Sequence, residues 1–239
     1  MLDVAVWRGT TEGSFEHFDV PRSDSQTVLD VVTYIQRHLD TTLAYRFSCR
    51  VGVCGSCAMK VNGVARWTCR THVSSVAGDG HLEIAPLDHL PRLRDLVCDM
   101  TPFFEKWTRA GGAFVPFEPP ETTVKRGFAA IDPLSQKRLE AEAGIECIGC
   151  GVCYSECDTV GRLPEYLGPA ALNRAWTLTN DERDGRGASR LRAVAGDAGC
   201  HSCHTQMSCS ERCPKRLTPA ASIAGLKRAS ALAALRGKL

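Results

Sequence analysis

A chain of 239 residues has room for two modest domains, since domains commonly run to about 100–150 residues. Its 44% hydrophobic and 23% charged residues are ordinary for a soluble globular protein, and a formal net charge of +2 gives no case for nucleic acid as a partner or for strong attachment to a charged membrane. The informative total is thirteen cysteines.

In chain order, residues 2–8 and 14–20 alternate apolar and polar side chains around the turn-rich Gly9-Thr10-Thr11-Glu12-Gly13, which predicts a hairpin. Val28, Val31, Val32, Ile35 and Leu39 are then spaced as one helix face, with Ser25 and Thr27 just ahead as a serine or threonine to start it. Val61-Asn62-Gly63-Val64 marks a second hairpin, because Asn-Gly suits the tight turn between strands. Residues 81–85 read as a closing strand. Strands wrapped round one helix suggest a small β-grasp domain.

From Leu90 onward helical patterns take over, at 97–109, 134–143, 170–178, 188–195 and 220–235. Residues 111–120, with two glycines and three prolines, read as a loop. The expectation is an α+β chain: a β-grasp domain over residues 1–100 and an all-helical domain over 101–239.

Ten of the thirteen cysteines fall into three tight groups. The N-terminus alternates like a strand and shows no apolar leader, and no run approaches the ~18–20 apolar residues of a membrane span. The reading is therefore a protein facing the cytoplasm, where thiols stay reduced and bind metal.

The first group is Cys49-x4-Cys54-x2-Cys57, followed by Cys69. This is the plant-type ferredoxin spacing for a [2Fe–2S] cluster. A loop must curl round the cluster and aim backbone N–H groups at sulfur, and Gly52 and Gly55 give it that freedom. Zinc motifs usually pair one close couple of ligands with another, whereas Cys69 stands alone.

The second group, Cys147-x2-Cys150-x2-Cys153-x3-Cys157, is the bacterial ferredoxin run with Asp158 where proline usually follows. The third, Cys203-x5-Cys209-x3-Cys213-Pro214, is the same run with Gln206 in place of its second cysteine. In two-cluster ferredoxins the last cysteine of each run serves the other cluster. Crossed in that way, Cys147, Cys150, Cys153 and Cys213 hold a [4Fe–4S] cluster. Cys157, Cys203 and Cys209 remain, and three thiolates with an empty corner suggest [3Fe–4S].

Cys98 has no partner in sequence and reads as a buried structural thiol. Cys200, three residues before Cys203, stays open as an alternative ligand for the empty corner. His204, beside a ligand, is the candidate for proton handling. His72 is a candidate for tuning the first cluster, while His81 and His89 read as surface or packing residues. Arg46 and Arg50 flank the first group, placed either to offset its negative charge or simply to be solvated.

With these residues in view, the chain resembles the iron–sulfur subunit of succinate dehydrogenase and fumarate reductase over nearly its whole length. The likeness rests on Ser48-Cys49-Arg50-Val51-Gly52-Val53-Cys54-Gly55-Ser56-Cys57-Ala58-Met59, on Ile84-Ala85-Pro86-Leu87 and on the Asp95–Met100 segment. It continues through the second cysteine run, Tyr166-Leu167-Gly168-Pro169-Ala170 and Cys213-Pro214-Lys215.

The resemblance implies a flavoprotein partner that carries FAD and the dicarboxylate site. It also implies a membrane anchor where quinone reacts and haem b can reside, on the cytoplasmic side of a bacterial inner membrane. Electrons would pass from flavin through [2Fe–2S], [4Fe–4S] and [3Fe–4S] to quinone, in either direction. Dicarboxylate chemistry, and hence any catalytic residue, would lie on the partner.

Two departures bear on the quinone side. The family's Pro-Ser-x-Trp-Trp is Asp158-Thr159-Val160-Gly161-Arg162 here, and its aliphatic residue at the empty corner is Gln206. Arg162 and His204 are the residues the resemblance implies for a quinone-facing surface. A thiol-linked or other flavin-linked electron-transfer complex is the alternative reading, and a zinc-binding adaptor is a third.

Overall fold

The computed structural model describes residues 1–117 and 131–239; of the expected 111–120 loop, residues 118–120 lie outside the described residues. Two compact units emerge. One comprises Met1–Pro102 with Ile148–Glu156, the other Phe103–Cys147 with Cys157–Leu239. The sequence reading drew a single cut near residue 100, whereas the chain returns to the first unit for one short segment.

The first unit is built on a five-stranded sheet in the order β2-β1-β5-β3-β4. The strands are β1 (Leu2–Gly9), β2 (Gly13–Val20), β3 (Ala58–Val61), β4 (Val64–Trp67) and β5 (His81–Ala85). β1 pairs antiparallel with β2, with Leu2 opposite Val20, and parallel with β5, with Val4 opposite Leu82. Leu2, Val4 and Val6 are fully buried while Asp3 between them is exposed, the period-two pattern of a sheet with one covered face.

α1 (Val28–Tyr34) covers that face and runs on as a wider π-helical turn, Ile35–Leu39. Its start is a capping box. Thr27 Oγ1 accepts from Asp30 N at 3.3 Å, and Asp30 Oδ2 accepts from Thr27 N at 3.0 Å. Val28, Val31, Val32 and Ile35 share one core with Leu2, Val4, Val61, Leu82 and Ile84. Removing any of these side chains to Ala is expected to cost about 2–5 kcal/mol for Ile or Leu and less for Val.

The helix expected over 97–109 is two elements. Val97–Cys98 is β7, paired antiparallel with β6 (Arg92–Arg94), and α2 begins only at Thr101 (Thr101–Arg109). The break falls where Asp99 Oδ1 accepts from Thr101 N at 2.8 Å and Asp99 N donates to Pro91 O at 2.8 Å, an arrangement a continuous helix does not allow.

The second unit is helical. α3 (Gln136–Ile145) and α9 (Pro219–Leu235) pack on α6 (Pro169–Thr179), with α7 (Gly187–Val194) beside them. Three short helices add to these: α4 (Val152–Ser155), which belongs to the first unit, α5 (Asp158–Arg162) and α8 (Ser208–Glu211).

α6 is almost entirely buried and bonds its neighbours through polar groups. Asn173 Nδ2 donates to Gly144 O on α3 at 3.1 Å, and Asn173 Oδ1 accepts from Ser222 Oγ on α9 at 2.9 Å. Gly225 has no side chain because the ring of Trp176 stands 2.5 Å from where a Cβ would sit.

Near α7 a fully buried ion pair joins Arg190 to Asp184, with Nη1–Oδ1 at 2.6 Å and Nη2–Oδ2 at 2.9 Å. Two further guanidinium protons go to the carbonyls of Gly111 and Ala113, so four of the five N–H donors of this buried charge are hydrogen-bonded. Among the described residues no helix is long and apolar enough to cross a membrane.

Candidate functional site

All thirteen cysteines are thiols. No group of three or more His, Cys, Asp or Glu side chains among the described residues is drawn together tightly enough for a single metal ion.

In the first unit the loop from Cys49 to Cys57 doubles back through three left-handed residues, Arg50 (φ 57°), Gly52 (φ 73°) and Gly55 (φ 73°). That path turns backbone donors onto sulfur: Val53 N and Cys54 N each lie 3.3 Å from Cys49 Sγ, and Cys49 N lies 3.5 Å from Cys54 Sγ. The N–H groups of Val53, Val51 and Cys54 together pull the Cys49 thiol down to about 6, so it is poised to be a thiolate.

Cys57 and Cys69 form an inner pair, both buried beside Leu29 and Trp67. Burial, with the Cys57 thiol next to it, pushes Cys69 up to about 12. Thr68 holds this pair in register, its N and Oγ1 both donating to Cys57 O, at 3.2 and 2.8 Å. The site thus has an outer couple, Cys49 and Cys54, and an inner couple, Cys57 and Cys69. Two couples and inward-pointing amides suit a two-iron cluster.

Around it, Arg50 stacks over Phe47 at 4.6 Å. His72 instead bridges to Thr27 by backbone pairing, away from any sulfur contact among those described. His81 hydrogen-bonds Asp3 on the sheet surface, and His89 is a left-handed turn residue.

Of the second cysteine group, Cys150 and Cys153 lie in the first unit. Cys150 stands between left-handed Gly149 (φ 62°) and Gly151 (φ 81°), and α4 carries Cys153. Two side chains tie this segment down: Ser155 Oγ accepts from Asp88 N at 2.9 Å, and Glu156 Oε1 from Ala65 N at 2.7 Å. A Cβ on Gly55 would lie 2.7 Å from Cys150 Cβ and 2.8 Å from its Cα, so the first loop touches this ligand backbone to backbone. Cys147 and Cys213 belong to the second unit, where Lys215 and Glu146, in the segments that carry them, form an ion pair at 3.1 Å.

Also in the second unit, Cys157, Cys203 and Cys209 line one open concavity of about 350 Å³. His204 and Gln206 line it too; Arg162 does not. Arg162 ends α5 as an exposed residue. The loop carrying Cys203 and Cys209 is bent by two non-glycine residues in left-handed conformation, Thr205 (φ 58°) and Met207 (φ 68°), one on each side of Gln206. A β-branched residue at positive φ is strained and persists only where its surroundings fix it.

Local donors meet each thiol: Thr205 N lies 3.4 Å from Cys203 Sγ, and the Ser210 hydroxyl 4.0 Å from Cys209 Sγ. Burial pushes Cys209 up to about 11 and raises Cys157 as well.

Cys200 is fully buried with its sulfur 3.9 Å from Ser230 Oγ on α9, and it is absent from the concavity's lining. Cys98 is buried too, its thiol donating to Leu87 O at 3.5 Å. One residue escaped the sequence reading: Tyr166, buried just ahead of α6, whose side chain forms part of the wall around the three thiols.

Comparison with known proteins follows the same division. A family model described as a 2Fe-2S iron-sulfur cluster binding domain matches residues 3–105, and one described as a 4Fe-4S dicluster domain matches residues 144–217. The fumarate reductase iron-sulfur subunit of Haemophilus influenzae is 35% identical over 86% of this chain and 82% of its own length. That of Mycobacterium tuberculosis is 33% identical over 99% and 94%. Among solved structures, a chain of the Mycobacterium smegmatis Sdh1 complex in the apo form superposes with a TM-score of 0.83 at 26% identity, over 96% of this chain and 95% of that one.

Proposed function

The chain belongs to the family of iron–sulfur subunits of fumarate reductase and succinate dehydrogenase, and on that premise we propose that it carries electrons between a flavoprotein and membrane quinone through three clusters. Cys49, Cys54, Cys57 and Cys69 hold [2Fe–2S]. Cys147, Cys150, Cys153 and Cys213 hold [4Fe–4S], and Cys157, Cys203 and Cys209 hold [3Fe–4S]. Such clusters, when bound, each accept and release one electron, at potentials set by burial and by hydrogen bonds to sulfur.

The protein's part is to hold them close together and in different surroundings. The observation that supports a relay is the packing of Gly55 against Cys150, which brings a loop of the first cysteine group against a residue of the second. Backbone amides stabilise negative charge on the outer couple of the first site. Gln206 and His204 add polar side chains to the lining of the third concavity, and His204 is the residue suited to hand a proton to a reduced quinone.

The partners in this reading are an FAD-bearing flavoprotein, where the dicarboxylate reacts, and a membrane anchor on the cytoplasmic face of a bacterial inner membrane. The relatives from Haemophilus influenzae and Mycobacterium tuberculosis both carry the name fumarate reductase, which gives the reverse direction equal standing with succinate oxidation.

Electron paramagnetic resonance on the complex extracted from its native membrane tests this. Succinate should abolish a near-isotropic three-iron signal and bring up a reduced two-iron signal, and fumarate should reverse the change. Clusters that ignore both dicarboxylates would assign the chain to a different dehydrogenase.

A further inference from the structure

Each of the three thiols around the concavity meets donors from its own loop: Thr205 N for Cys203, Ser210 for Cys209, and the Thr159 and Val160 amides for Cys157. These donors all come with the ligand segments themselves, and the Thr205, Thr159 and Val160 ones are main-chain amides. Tyr166 is different. It lies 37 positions before Cys203 in sequence, is 1% exposed, and lines the concavity beside all three thiols.

Its placement is fixed by the backbone on either side. Tyr166 N donates to Leu163 O at 3.0 Å and Leu167 N to Ala198 O at 2.8 Å. Gly168 (φ 84°) and Pro169 then start α6 at once. A buried phenol ordinarily finds a hydrogen-bond partner for its hydroxyl. Here the Cys203 thiol, which lines the same concavity, is the group placed to take it.

Resting on the ligand reading above, we propose that Tyr166 is a potential-setting residue of the third cluster, its hydroxyl donating a hydrogen bond to Cys203 Sγ from the buried wall of the concavity. A donor to sulfur stabilises the reduced, more negative state and so raises the midpoint potential. Tyr166 touches neither dicarboxylate nor quinone in this account; it acts through Cys203.

The test is a potentiometric titration of the intact complex followed by electron paramagnetic resonance. Tyr166→Phe deletes one oxygen atom and should lower the reduced-to-oxidised ratio of the three-iron centre at fixed ambient potential by three- to tenfold. Tenfold corresponds to about 59 mV for one electron. The two-iron midpoint should stay where it is.

Site-specific 3-fluorotyrosine at position 166 keeps the hydroxyl and strengthens it as a donor, so it should move the ratio the opposite way. If Tyr166→Phe loses the centre altogether, this second form decides. A three-iron signal whose midpoint is the same in wild type and both variants overturns the inference and leaves the ligand reading standing. A wild-type complex with no three-iron signal overturns the ligand reading, and this inference with it.

Discussion

The cysteine loop of the first unit and the thiol-lined concavity of the second solve one problem, steadying negative charge on sulfur, with different parts. In the first, the donors are main-chain amides of the loop itself, aimed by left-handed turns at Gly52 and Gly55. In the second, local donors are joined by a buried side chain from a distant segment, Tyr166, and the loop is bent by strained Thr205 and Met207 rather than by glycine. A site made of its own backbone is robust to substitution elsewhere. A site completed by remote side chains can be tuned one atom at a time, and also depends on the fold that delivers them.

The sharpest way to break this contrast is to remove one ligand from each. Cys57→Ala should abolish the two-iron resonance while the three-iron resonance persists, and Cys203→Ala should do the reverse; joint loss in either variant would mean the sites are not separately built.

Next in size is the buried pair of the second unit. Arg190→Ala leaves Asp184 charged and buried, which is expected to cost about 3–5 kcal/mol. The three-iron resonance should then vanish at a lower temperature on heating, and Arg190→Met with Asp184→Leu should recover much of the loss.

Smaller, but more diagnostic, is a pair of glycines with nearly the same backbone. Gly55 (φ 73°) meets Cys150, whereas Gly63 (φ 76°) has nothing within 4 Å of its missing Cβ. Both changes to Ala carry the left-handed penalty of about 1–2 kcal/mol. Only Gly55→Ala should also slow electron arrival beyond the two-iron centre, in freeze-quench measurements of successive cluster reduction. Equal behaviour would remove the Gly55–Cys150 contact from the relay.

The smallest effect expected is Thr27→Ala, about 1 kcal/mol from loss of the α1 cap, read as a modest drop in melting temperature with every resonance unchanged.

What could be read from residues alone was what is local. The period-two pattern of β1, the serine or threonine ahead of α1, the Asn62-Gly63 turn and the cysteine spacings each concern a few neighbours in sequence, and each has its physical consequence there. The 97–109 stretch misled because Val97 fits a helical pattern, while its pairing with Arg94 is settled by a strand that periodicity does not see. Tyr166 was quoted only as part of a resembling segment; nothing in its neighbours says that Cys203 lies across from it. The return of Ile148–Glu156 to the first unit is equally non-local, fixed by Ser155 and Glu156 accepting from the amides of Asp88 and Ala65.

The central claim is that one chain holds three clusters of different iron number on the thiol sets named above. Mössbauer spectroscopy of the complex enriched in iron-57, recorded as isolated and after reduction, tests it most directly. The account predicts three spectral components, from a two-iron, a three-iron and a four-iron centre, with Cys200→Ser leaving all three intact. A spectrum with only two- and four-iron components in undamaged protein, or a three-iron component lost with Cys200→Ser, would contradict it.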